Sequence, residues 1–170
     1  MKKYLFLMVL MSFGNVFASS DIPLPQSRNI GGIEHICINP GVSETCYENE
    51  HWILFWRYEN DTVLVHLQAG EGKQAFHVEK VGDSIYQIWV KMNFTGPSVE
   101  KRVAKQLSLI QINTKTKQYN FAQHTAYDKN GEQIFSQTNL EQWSYPQPDS
   151  PVAAIFDIVM KQIQYFSEAR

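Results

Sequence analysis

The feature that most constrains this chain is a period of two. Between residues 51 and 136, apolar side chains recur at alternate positions in short runs, and each run ends in turn-forming residues. Residues 85–94 are the clearest case: Tyr86, Ile88, Val90 and Met92 alternate with Gln87 and Lys91. Val63, Val65 and Leu67 alternate in the same way with Thr62, His66 and Gln68. A helix repeats every 3.6 residues and cannot gather such positions on one face, whereas a strand with one face in a core does. Turns are supplied by Asn60-Asp61, 70–73, Gly82-Asp83, 95–98 and 127–131, where Asn130-Gly131 tolerates positive φ. Residues 75–80 predict a short strand, 107–113 and 118–126 a hairpin, and 132–136 a further short strand.

After Pro146 the period changes. Val152, Ile155, Phe156, Val159, Ile163 and Phe166 recur at helical spacing, with Asp157, Lys161, Gln162 and Gln164 opposite. Ser150 suits the N-cap, Pro151 the first helical position, and Asp149 the positive end of the helix dipole. Strands in succession followed by one helix predict an α+β fold. The expected architecture is an antiparallel β-sheet of five to seven strands with a C-terminal amphipathic helix packed on it. The 13% aromatic share agrees with a strand-rich chain.

The start of the chain gives an address. Lys2 and Lys3 precede an almost unbroken apolar run over 4–13, and Val16-Phe17-Ala18 places small residues where a signal peptidase reads. This predicts a signal peptide over 1–18 and an exported chain beginning near Ser19, destined for the periplasm or the outer cell surface. Removing Lys2 and Lys3 takes the formal net charge from −2 to −4. No basic stripe remains to neutralise phosphates, which argues against a nucleic-acid partner. In an oxidising compartment Cys37 and Cys46 read as a disulfide, with Asn39-Pro40-Gly41 turning the chain between them. His35 and His51 could complete a metal set with these cysteines, but the spacing fits no standard ligand pattern. Pro23, Pro25, Gly31 and Gly32 predict an irregular or extended arm rather than core structure. The expected organisation is therefore an arm and disulfide loop over 19–50 and one α+β domain over 51–170.

Two groups of residues are candidates for function. Residues 51–58 are apolar on both sides of a strand: Ile53 and Phe55 on one, Trp52, Leu54, Trp56 and Tyr58 on the other. Trp, Tyr and Arg dominate protein-binding hot spots, so Trp52, Trp56, Tyr58 and Arg57 form a candidate binding surface, with core packing as the alternative. His66 and His77 flank a predicted hairpin and form a candidate haem or metal pair. No nucleophile elbow, zinc-protease motif or phosphate loop is present. The expectation is a protein that is not an enzyme and needs no cofactor.

Residues 52–162 resemble the surface-adhesin protein E family of exported Gram-negative proteins. The matching pieces run in order: the strand opening at Trp52, Asp61-Thr-Val-Leu-Val-His-Leu67, Tyr86-Gln-Ile-Trp-Val-Lys91, Leu-x-x-Ile-Gln-Ile-Asn113, Tyr119, Ala126-Tyr-Asp-Lys-Asn-Gly131, and Trp143 with Pro148-Asp-Ser150 before the helix. The family's usual cysteine pair falls here at Asn113 and near Met160, so that bridge is absent, and Cys37 and Cys46 lie outside the matched stretch. The resemblance implies an antiparallel sheet with a C-terminal helix, adhesion to host matrix or serum proteins, and a haem-binding role attached to the family. The leading expectation is an exported non-catalytic binding protein. A periplasmic inhibitor or immunity protein that blocks a target enzyme is the alternative, and a haem-binding protein a third. A second copy of the chain is a further candidate partner.

Overall fold

In the computed structural model the described residues are 25–38, 44–49, 51–58, 61–71, 75–95, 102–138 and 142–168. The predicted signal peptide, the Asn39-Pro40-Gly41 turn and Asn60 lie outside them, as do 72–73 and 96–98 of the predicted breaks and the side chain of Phe166. The described residues form ten strands and one helix: β1 (Gln26–Ile30), β2 (Ile33–Ile38), β3 (Thr45–Glu48), β4 (Trp52–Tyr58), β5 (Val63–Gln68), β6 (Glu79–Lys80), β7 (Ile85–Phe94), β8 (Lys105–Asn113), β9 (Gln118–Tyr127), β10 (Gln133–Thr138) and α1 (Pro151–Glu168). The ten strands belong to one antiparallel sheet in the order β1-β2-β3-β4-β5-β7-β8-β9-β10, with β6 on the edge of β7 beside β5.

The expected mixture of antiparallel sheet and C-terminal helix is present, but ten strands exceed five to seven. The excess comes from residues 26–48, which were expected as an arm and a loop and instead form β1–β3. Gly31 and Gly32, with φ of 58° and 83°, make a two-residue turn between Ile30 and Ile33. Positive φ at both central positions is the hairpin turn that matches strand twist. The expected disulfide is formed: Cys37 and Cys46 are bonded and sit directly opposite each other on β2 and β3.

One face of the sheet carries α1. Ile155, Phe156 and Val159 are buried against Val65, Leu67, Ile88, Val90, Ile110 and Ile112. Ser150 caps the helix, its Oγ accepting the Ala153 N–H at 3.2 Å. Gln162, expected on the polar side, instead clamps the backbone of Phe76: its Nε2 donates to the Phe76 carbonyl at 2.9 Å and its Oε1 accepts the Phe76 N–H at 3.3 Å.

The other face is closed by the sheet itself. In a flat sheet β2 and β5 would stand roughly 14 Å apart, three strand spacings. Here His35 of β2 lies 2.9 Å from His66 of β5, and Ile30, Cys37, Cys46 and Leu64 form a second buried cluster. The N-terminal strands therefore curl over the middle of the sheet. A bulge in β4 sharpens this: the pairing register slips between Leu54 and Trp56, leaving Phe55 extra. Bulges increase local twist and re-aim the side chains that follow them.

Gly31 is where the curl closes. A Cβ there would lie 2.8 Å from the Asp61 carbonyl oxygen, 3.0 Å from Thr95 Oγ1 and 3.2 Å from Leu64 Cδ1, while at Gly32 it would meet nothing within 4 Å. Gly31→Ala is expected to lower unfolding stability by about 2 kcal/mol or more, and Gly32→Ala, with backbone strain alone, by about 1 kcal/mol. Denaturant melts of the two variants check the difference. The Cys37→Ser/Cys46→Ser double variant is expected to lose about 3 kcal/mol, from freed unfolded-state entropy, in the same measurement.

Candidate functional site

The curl buries a polar cluster. His35 and His66 are fully buried, and Lys91 and Asn93 nearly so. His66 faces inward from β5 because β5 alternates and its opposite positions, Val65 and Leu67, point at the helix. Lys91 and Asn93 occupy the same inner face of β7, directly opposite His66 and Leu64. Glu48 ends β3 opposite Trp52. His35 is brought in from β2.

The contacts set the protonation. His35 Nδ1–H donates to the Ile33 carbonyl at 2.9 Å, leaving Nε2 as an acceptor. Asn93 Nδ2 lies 3.5 Å from His66 Nδ1, and the backbone at Leu64 and Lys91 also hydrogen-bonds the His66 ring. His66 Nε2 points into the cluster. That nitrogen lies 2.9 Å from His35 Nε2 and 3.2 Å from Glu48 Oε2. The ring centroids are 5.2 Å apart with nearly parallel planes. With the nitrogens at 2.9 Å, the rings meet end to end rather than face to face.

Glu48 Oε2 also accepts from Lys91 Nζ at 2.7 Å and Asn93 Nδ2 at 3.0 Å. Lys91 lies 4.8 Å from the Trp52 ring centre, a cation–π contact. The Glu48 side chain keeps 20% of its surface exposed, so it is the member of the cluster that reaches solvent. Removing one partner of a pair this buried leaves an uncompensated charge, typically at a cost of about 3–5 kcal/mol.

Burial holds the His66 pKa down at about 3, helped by the nearby Lys91 ammonium and by His35. Burial also lowers Lys91, opposed by its hydrogen bond to Glu48. His66 is therefore neutral at physiological pH. His35, His66 and Glu48 hold their ligand atoms within 4.8 Å of one another, the arrangement in the cluster that could take a metal ion.

Of the residues predicted from sequence, the structure separates most. His66 and His77 do not meet: His66 is buried against His35, and His77 is exposed. Trp52, Trp56 and Tyr58 do not share a face, because the bulge at Phe55 reverses the alternation. Trp52 lies on the inner side by Lys91, while Trp56 and Tyr58 pack against the helix-side core. Arg57 is exposed, with Asp61 Oδ1 3.6 Å away.

Glu48, Lys91 and Asn93 were not singled out from sequence, and His35 was considered only with the cysteines. A lysine inside an unbroken strand at Lys91 was the one local sign. Its partner lies forty-three residues away on a strand whose position depends on the curl. A second polar set lies on the helix face. Gln106 Nε2 and Ser108 Oγ lie 3.3 and 3.0 Å from His124 Nδ1, and the His124 ring packs edge-on against Phe121 and Phe135. Ser108 and His124 have the spacing of a nucleophile and its base, and Ser108 is fully buried.

Compared with protein-family models, characterised proteins and solved structures, the chain matches none. Among the described residues, no helix is long and apolar enough to cross a membrane.

A group whose folded pKa is depressed binds fewer protons folded than unfolded. The His66 contribution is thus present above its unfolded pKa, about 6.5, and is lost as pH falls toward 3. Stability is expected to drop by about 1 kcal/mol per pH unit between pH 6 and 5, measured by urea unfolding with a chelator present. His66→Gln is expected to flatten that slope.

Proposed function

We propose that this chain is an exported, non-catalytic binding protein, akin to the surface adhesins it resembles, and that its partner is a host matrix or serum protein. The observation that carries this is the edge strand β10. All six of its residues are exposed, including Ile134 and Phe135 at 44% and 46%. The strand, Gln-Ile-Phe-Ser-Gln-Thr, holds no charge and no proline. Among the described residues nothing pairs with its outer side.

Proteins usually guard an edge with lysine, proline or a covering loop, because open N–H and C=O groups template another strand. An uncharged, apolar edge suits an extended segment of a partner laid alongside it. The bulge at Ile134, where pairing slips against β9, leaves an apolar side chain out of register and available to that partner. The disulfide is consistent with export. The inhibitor or immunity alternative would act through the Cys37–Cys46 loop, whose residues 39–43 lie outside the described ones.

The test is binding of the purified chain to a panel of purified host matrix and serum proteins, with a photo-crosslinking amino acid replacing Phe135. The expected result is saturable binding and a crosslink to one panel protein. Ile134→Lys should weaken that binding at least about tenfold with an unchanged melting temperature. Binding to none of them, or binding indifferent to Ile134→Lys, overturns the proposal. Crosslinking to a second copy of the chain, with a dimer on sedimentation, assigns the edge to self-association instead and also overturns it.

A further inference from the structure

The polar cluster turns three potential ligand atoms toward one point. His35 Nδ1 faces the Ile33 carbonyl, which leaves Nε2 turned toward His66. Glu48 Oε2 can only accept. Between them stands His66 Nε2, 2.9 Å from His35 Nε2 and 3.2 Å from Glu48 Oε2. A cation set among the three would meet a lone pair from each.

The spacing fits a coordination shell. Ligands about 2.0–2.2 Å from a metal in tetrahedral or octahedral geometry lie roughly 2.9–3.5 Å from each other. Two of the three edges here, 2.9 and 3.2 Å, fall in that range. The Ile33 carbonyl on His35 Nδ1 is the outer partner that a metal-ligating imidazole carries. Gln68, two residues along β5 from His66 on the same face, holds a buried Oε1 with no partner among the described residues.

We propose that His35 Nε2, His66 Nε2 and Glu48 Oε2 bind one borderline divalent transition-metal ion, Zn²⁺ or Cu²⁺. Two imidazoles and one carboxylate suit these ions. Calcium and magnesium require more oxygen ligands, and the two cysteines are locked in the disulfide. On binding, the end-to-end imidazoles tilt so that both lone pairs converge on the ion. His66 coordinates through Nε2 with its single ring proton on Nδ1, so no net proton is lost. Glu48, the member of the cluster that reaches water, is the route of entry. Lys91 shares Glu48 Oε2 and repels the incoming ion, so it sets the affinity.

The test is titration of the chelator-stripped chain with ZnCl₂ by calorimetry, and with CuCl₂ by electron paramagnetic resonance. The expected outcome is one ion per chain, a raised melting temperature with Zn²⁺, and a Cu²⁺ signal showing two coordinated nitrogens. Glu48→Gln, which keeps an acceptor for Lys91, should weaken Zn²⁺ about tenfold or more. Lys91→Met should tighten it. His51→Ala and His77→Ala should leave it unchanged. Absence of stoichiometric binding, or loss of binding in His51→Ala or His77→Ala, overturns the proposal. Should either cluster variant fail to fold by near-ultraviolet circular dichroism, the nitrogen count on the unaltered chain decides. One coordinated nitrogen or none overturns it.

Discussion

A side chain on β2 touches a side chain on β5 although β3 and β4 lie between them. The contact of His35 with His66 can exist only if the sheet bends through its N-terminal half, and the remaining features follow from that bend. It gives the inner face of β5 and β7 a cover that the single helix cannot supply. It also encloses Glu48 and Lys91, which in a flat sheet would both face water. The bend requires a hairpin turn that fits against the Asp61 carbonyl, and Gly31 provides it because any larger residue would collide there.

The two halves of the interior follow different rules. On the helix side, aliphatic side chains of β5, β7 and β8 meet one stripe of α1, and burial of apolar area is sufficient stabilisation. On the curled side the space holds an ion pair, two imidazoles and an amide. Such groups are costly to desolvate, and they hold together because each has a partner at hydrogen-bond distance. This polar interior demands a specific alignment of four strands, which aliphatic packing would not.

The opposite end of the sheet is built differently again. β1 ends the path with Arg28 paired to Glu44, whereas β10 ends it without a charge. The last edge has no cover among the described residues, and the apolar Ile134 and Phe135 lie on it. Among the described residues one edge of the sheet therefore carries an ion pair and the other carries no charge.

The period of two by itself determined the strands from β5 to β9 and the antiparallel meander, and the change to helical spacing determined α1 with its Ser150 cap. Those are local consequences of alternation and capping. The disulfide was also legible, because the paired cysteines lie close in sequence. The glycine pair at Gly31-Gly32 read as a breaker and proved to be a hairpin turn, since positive φ serves either purpose and only the flanking pairing tells them apart. The faces of β4 were misassigned because one bulge reverses every later position, and a bulge leaves no mark in an alternation of apolar residues on both sides. The partners of His66 were decided by tertiary structure alone. His35, Glu48 and Lys91 come from three other strands, and their meeting depends on the curvature of the whole sheet, a sum of small twists that no single stretch of sequence contains.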